Sequence, residues 1–151
     1  MTRSIASHDD WKPRSAEDRL LKQYISSKKG AVYLEVPIGG PGGVGKWPPG
    51  CTTRRLDAVR LYGRSVPVGV YQFRSNKEAF LQQIHRLRVE LVEVKTGLDR
   101  YVIGQAIAGR HMFRRHYKVK PARVVILCRY GDTALEWVCK RENIFVEQLR
   151  G

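Results

Sequence analysis

Leu20, Leu21, Tyr24 and Ile25 repeat at helical spacing behind Ser15-Ala16-Glu17-Asp18, a serine followed three residues later by an acid in the form of a capping box. The pattern predicts a helix over 15–28, stopped by Gly30. Residues 31–37 are β-branched and aromatic, which is strand character, whereas 39–50 carry six glycines and three prolines, which is loop character. Strand character returns over 54–62, and 63–70 is a turn-rich connection. A second capping box, Ser75-Asn76-Lys77-Glu78, leads Phe80, Leu81, Ile84 and Leu87 into an inserted helix over 75–88. Beyond it come a strand over 89–95, a long helix over 99–117 and an apolar strand over 124–128 opened by Pro121. A helix over 132–141 and a short strand over 144–146 complete the chain. Without the inserted helix the order is αβββαβαβ, which predicts a single-domain α/β sandwich over 14–151, a mixed central sheet flanked by helices. Residues 1–13 are polar and aperiodic and read as a loose N-terminal arm.

With 151 residues and 42% hydrophobic positions, the chain can build one core without disulfides or a structural metal. Cys51, Cys128 and Cys139 fit neither a disulfide framework nor a metal or redox spacing and read as ordinary buried thiols. His8, His85, His111 and His116 form no zinc pattern. No apolar run approaches the roughly 20 residues that span a bilayer, and the N-terminus has no secretory core, so a cytoplasmic protein without a membrane span is expected. Charge changes the picture more. Twenty-eight Lys and Arg against 14 Asp and Glu leave +14, which makes nucleic acid the expected partner, ahead of anionic membrane or acidic proteins.

Several acids stand where the periodicity expects hydrophobes. Residues two apart on a strand share a face, so Leu91, Glu93 and Lys95 lie together, opposite Val92 and Val94. Asp57 interrupts the apolar run Leu56-Asp57-Ala58-Val59, and Glu17 extends the buried stripe of the leading helix. Burying several unpaired carboxylates is costly unless a cation neutralises them, and an all-carboxylate set suits Mg²⁺ or Mn²⁺. A neighbouring lysine can then orient water and stabilise charge building on a transferring phosphoryl group.

Asp57, then Glu93-Val94-Lys95 at a strand end, Gln105 within Ile103-Gly104-Gln105-Ala106, and Glu17 in the leading helix resemble the PD-(D/E)XK nuclease superfamily. The element order over about 15–147 is similar to its restriction-endonuclease-like αβββαβ core. The resemblance implies metal-dependent hydrolysis of phosphodiester bonds, with Asp57, Glu93 and the carbonyl of Val94 holding Mg²⁺, Mn²⁺ substituting, and Lys95 serving the attacking water. Glu17 is similar to the accessory, metal-side acid of archaeal Holliday-junction resolvases, and Gln105 to a supporting polar residue of RecB-like members. Leu56, not proline, precedes Asp57, and the 36 residues from Asp57 to Glu93 include the inserted helix. That insert could grip substrate, make a dimer contact or simply pack.

Gly40-Pro41-Gly42-Gly43-Val44-Gly45-Lys46 imitates a phosphate-binding P-loop, but Trp47-Pro48-Pro49 follows where a helix with a hydroxyl is needed. The expectation is instead a flexible loop running toward Asp57, with Lys46 for phosphate and Trp47 for stacking. From Arg100 through Gly131 the chain has eight Lys or Arg and no acid. Arg54, Arg55, Arg100, Arg110, Arg114, Arg115, Lys118 and Lys120 join Lys46 as the expected nucleic-acid contacts. Tyr101, Phe113 and Tyr117 are interleaved with them, but the helical stripe favours a core reading for the aromatics. The sequence therefore points to a Mg²⁺-dependent deoxyribonuclease acting on DNA, with branched or flapped DNA as candidate substrates. DNA over RNA rests on the resemblance alone, and cutting both strands would suit a homodimer. A non-catalytic nucleic-acid-binding module of the same fold is the alternative.

Overall fold

The computed structural model describes residues 4–6, 11–41, 45–66 and 68–150. In chain order the elements are β1 (Ser4–Ala6), α1 (Ala16–Ser26), β2 (Ala31–Ile38), β3 (Arg54–Tyr62), β4 (Gly69–Gln72), a 3-10 turn (Phe73–Ser75), α2 (Lys77–Gln83), β5 (Arg88–Val94), α3 (Arg100–Tyr117), β6 (Arg123–Cys128), α4 (Thr133–Arg141) and β7 (Phe145–Gln148). The caps explain where three helices begin. Ser15 Oγ accepts from the Asp18 N–H, Asp99 from Val102 and Asp132 from Leu135, each satisfying a first-turn amide that the helix leaves unpaired. The inserted helix starts from Asn76 rather than Ser75, which lies in the 3-10 turn, and it ends at Gln83.

The described strands form one seven-stranded mixed sheet in the order β1-β4-β2-β3-β5-β6-β7. β2, β3 and β5 pair antiparallel, β5, β6 and β7 parallel, and β4 runs parallel to β2. Two strands differ from the sequence reading. Residues 69–72, of which the sequence pattern places 69 and 70 at the end of a connection, pair with β2 as β4, and residues 4–6 of the supposed loose arm pair with β4 as an edge strand. Trp11, also in that arm, is buried against α1. Residues 1–3 and 7–10 of the arm and Gly42, Gly43 and Val44 of the glycine loop lie outside the described residues.

Helices cover both faces, so the α/β sandwich stands. On one face α3, α2 and α4 bury Phe113, Tyr117, Phe80 and Cys139 against Tyr33, Val59, Leu91 and Ile126. The crossovers β5-α3-β6 and β6-α4-β7 lie on this same side, as right-handed connections along one direction require. The opposite face is covered by α1, whose Leu20, Leu21, Tyr24 and Ile25 meet Val32, Leu34, Ala58, Val92 and Val125. The inserted helix serves packing: Phe80 and Ile84 are buried, with the Phe80 ring edge-on to Tyr33, Phe73 and Tyr117. Cys128 and Cys139 are buried free thiols, while Cys51 is partly exposed. Among the described residues, no helix is long and apolar enough to cross a membrane.

On β2 and β3 strand alternation breaks where the site lies. On β2, Tyr33 faces α3 and Leu34 faces α1, yet Val36 and Ile38 face α3 again. On β3, Val59 and Leu61 face α3, Ala58 faces α1, and Leu56 faces α3. Register between the strands is kept throughout, from Ala31 opposite Leu61 to Ile38 opposite Arg54, so both strands swap faces at the opposed positions Glu35 and Asp57. Glu35 takes a left-handed φ of 57°, which makes the swap possible on its strand.

Candidate active site

The β3–β5 ladder runs from Tyr62 opposite Arg88 to Ala58 opposite Val92 and goes no further. At the next position the Val94 N–H donates to Asp57 Oδ2 at 2.8 Å. The Asp57 carboxyl thus takes the place that a main-chain carbonyl would have, which explains an acid inside an apolar run. The Asp57 and Glu93 carboxyls are hydrogen-bonded to each other. Burial, then the Asp57 charge and this bond, and then Glu35 push Glu93 up to about 9. Asp57 is also raised, by burial first, against the lowering effect of the Val94 N–H and Glu93. A hydrogen bond between two carboxyls requires a shared proton, and the raised Glu93 is its better holder.

A cleft of about 620 Å³ opens on each side of this pair. The α1-side cleft is lined by Asp57 and Val94 with Glu17, Asp18, Glu35, Lys12 and Arg14. Glu17 is raised by burial and then by Asp57, with Lys95 opposing, so the leading helix does bring its acid to the dyad. The α3-side cleft holds Glu93 and Gln105 with Arg54, Arg55, Arg100 and Tyr101. Lys95 follows Glu93 at the strand end, its main-chain N–H on the Leu127 carbonyl at 3.0 Å and its Nζ 5.6 Å from the Tyr101 ring centroid. Asp57 thus interacts with Glu93, Glu17 and Lys95, while Gln105 is exposed and lines the α3-side cleft together with Glu93. Among the described residues, no three His, Cys, Asp or Glu side chains are gathered to hold an ion as they stand. The dyad acids face one another instead.

The expected basic contacts separate into three groups. Arg54, Arg55 and Arg100 line the Glu93 cleft. Arg110, Arg114, Lys118 and Lys120 line shallow depressions along the C-terminal half of α3 and beyond it. Lys46 belongs to a different structure, as does Arg115, which also lines one of these depressions, and here the loop reading needs correction. The described part of the loop is fastened to the C-terminal end of α3 rather than free above Asp57. Arg115 donates to the Gly45 and Lys46 carbonyls at 3.1 and 3.2 Å, and its guanidinium lies 4.3 Å from the Trp47 ring centroid. Buried His116 accepts on Nδ1 from the Trp47 indole N–H at 2.9 Å and the Gly39 N–H at 3.1 Å. Gly45 is needed at this closure, because a Cβ there would sit 2.9 Å from the Arg115 carbonyl oxygen and from Trp47 Nε1.

Sequence reasoning missed three features. Glu35 and Asp18 add negative charge to the dyad, raising Glu93 and Asp57 respectively. Lys12 and Arg14 line the α1-side cleft, though they belong to the stretch before the first helix. Fully buried Glu90 is a hub: Tyr24 OH donates to it at 2.9 Å, Arg60 Nε at 2.9 Å, and Arg123 Nε lies 2.8 Å away. Arg60 and Arg123 are its direct neighbours on the two adjoining strands. Parity could have found the hub, since the three charges share one register line. No protein-family model, curated protein or solved structure matches the chain.

Proposed function

We propose that the chain is a Mg²⁺-dependent endonuclease of PD-(D/E)XK type that hydrolyses DNA phosphodiester bonds, with Mn²⁺ able to substitute. The observation that carries this reading is the meeting of Asp57 and Glu93 where the β3–β5 ladder opens, with Lys95 and Glu17 beside them. The donor set fits a hard divalent cation: it is all carboxylate oxygen, and its desolvated, mutually repelling acids lose much of their cost when a cation replaces the shared proton. Asp57, Glu93 and Glu17 would hold the ion, which supplies Lewis-acid polarisation of the phosphodiester. Lys95 orients the attacking water and stabilises charge on the phosphoryl oxygens, while Arg54, Arg55 and Arg100 hold flanking phosphates in the cleft. Gln105 lines the same cleft and supports the water or a phosphate by hydrogen bonding.

A non-catalytic binding module is the second reading, favoured by the cations of the distal α3 depressions, which need no dyad to grip a phosphate backbone. One experiment separates the two. Wild type and Glu93→Ala are incubated with supercoiled plasmid and a labelled four-way junction, with Mg²⁺, Mn²⁺ or chelator. Cleavage that requires metal and disappears in the variant supports the nuclease. Tight binding without cleavage in every condition overturns it in favour of the module.

A further inference from the structure

Half of the fourteen aromatic rings of this chain are buried, but four expose half or more of their surface. Tyr101 is 68% exposed, Tyr130 58%, Trp137 62% and Phe145 53%. Each has a cation against its face: Lys95, Arg129, Arg141 and Arg123 respectively. One of the four lines the candidate site, and a second is carried beside it. Tyr101 lines the Glu93 cleft, and its cation is Lys95 itself. Tyr130 is tied to the segment that joins Lys95 to α3: the Tyr130 and Arg129 N–H groups donate to the Thr96 carbonyl at 3.0 and 2.9 Å, and the Leu98 N–H donates to the Tyr130 carbonyl at 2.9 Å. Gly97 and Tyr130 form an isolated parallel bridge. Both rings are therefore carried on backbone at the C-terminal end of β5 and β6, where Glu93 and Lys95 lie.

An exposed tyrosine ring leaves apolar surface in water, and neither of these two belongs to the buried core. We propose that Tyr101 and Tyr130 form a stacking platform for unpaired bases beside the Asp57–Glu93 pair, so that the site takes single-stranded or flapped DNA in preference to a closed duplex. The inference rests on the nuclease reading for its claim about substrate. Bases in a duplex keep their faces stacked on one another, and only an unpaired strand can offer a π-face to the tyrosines while its phosphates reach Arg54, Arg55, Arg100 and Arg129. The cations add attraction for any nucleic acid, whereas the rings discriminate, because phosphate contacts carry no information on pairing. Phe145 begins β7 at the opposite end of the strand pairing, beneath Arg123, and serves as an internal control.

The test is fluorescence anisotropy in chelator with a labelled oligothymidine, a blunt duplex of equal length and a 5′-flapped duplex. Wild type is expected to bind the single strand and the flap more tightly than the blunt duplex. Tyr101→Ala and Tyr130→Ala should each weaken single-strand binding about fivefold or more, with duplex affinity held within about twofold. Tyr101→Trp and Tyr130→Trp should keep the preference, and Phe145→Ala should leave it unchanged. Equal loss on single strand and duplex, no loss on either, or an alanine effect that tryptophan does not rescue overturns the platform. Because metal is absent, the outcome is independent of catalysis. A preference that depends on the tyrosines, in a protein that cleaves no substrate with Mg²⁺ or Mn²⁺, upholds the platform and overturns the nuclease.

Discussion

Replacing Glu93 by Gln keeps the shape of the side chain and a donor toward Asp57 but removes a titration that the fold has displaced far from its ordinary place. The ordinary value is 4.5 and the folded value about 9, so the folded state holds the Glu93 proton more tightly than the unfolded state does. The sign follows from linkage: this contribution to stability is fully present below about pH 4.5, is lost as pH rises, and has gone once pH passes about 9. Each pH unit in that window costs about 1.4 kcal/mol, so from pH 4.5 to 7 the group removes about 3 kcal/mol of stability. Asp57 and Glu17, both raised, act with the same sign. In Glu93→Gln the steep part of this dependence should vanish, leaving a variant about as stable as wild type at pH 4.5 and about 3 kcal/mol more stable at pH 7. Urea unfolding at half-unit steps of pH from 4.5 to 8, in chelator, measures it. Parallel curves for the two proteins, or a variant less stable than wild type at every pH, would refute the reasoning, for either result means that Glu93 carries no displaced proton.

Lys95→Ala should bind DNA with affinity close to wild type while metal-dependent cleavage falls on the order of 10²-fold, read by single-turnover kinetics; equal losses in binding and rate would remove Lys95 from the chemistry. His116 is lowered from 6.5, first by burial and then by Lys77, so its support of the loop is present above that pH and is lost as pH falls. Protonated Nδ1 cannot accept from Gly39 or Trp47, so Trp47 fluorescence, taken as wild type minus Trp47→Phe, should shift to the red on acidification below 6.5. An emission that stays unchanged while NMR shows His116 taking up its proton speaks against the staple. Glu90→Ala strands two arginines and should cost about 3–5 kcal/mol by urea unfolding, and a loss below about 1 kcal/mol would mean that the hub is solvated.

Local patterns carried most of the architecture, since capping acids, glycine stops and apolar periods are written within a few residues of the elements they define. β1 and β4 were not legible for a related reason. They have three and four residues and pair only with distant partners: β4 lies beside β2, with Gly69 opposite Ala31 38 positions back, and β1 lies beside β4, with Ser4 opposite Tyr71 67 positions on. In the candidate site, Asp57, Glu93 and Glu17 stood out because each broke an apolar pattern. Glu35 did not, as an exposed acid on a strand breaks nothing, and its importance comes from a backbone angle that residue type does not encode. The loop was misread because glycine and proline describe its freedom in isolation. What holds it is a tryptophan bonded to a histidine 69 positions away.

The bond from the Val94 amide to Asp57 gives one side chain two occupations. Folding needs an oxygen at that reach, whether or not anything is ever cut, because without it a sheet amide loses its acceptor. Asparagine supplies the oxygen and alanine does not, so Asp57→Asn separates loss of charge from loss of architecture, while Asp57→Ala confounds them. The same logic ranks what each residue would report in a descendant of this chain that had given up its activity. Selection for a foldable protein alone would still keep an acceptor at position 57, whereas it would place no such demand on Lys95. An aspartate there is a mark of the scaffold, and the lysine two residues past Glu93 is the informative one.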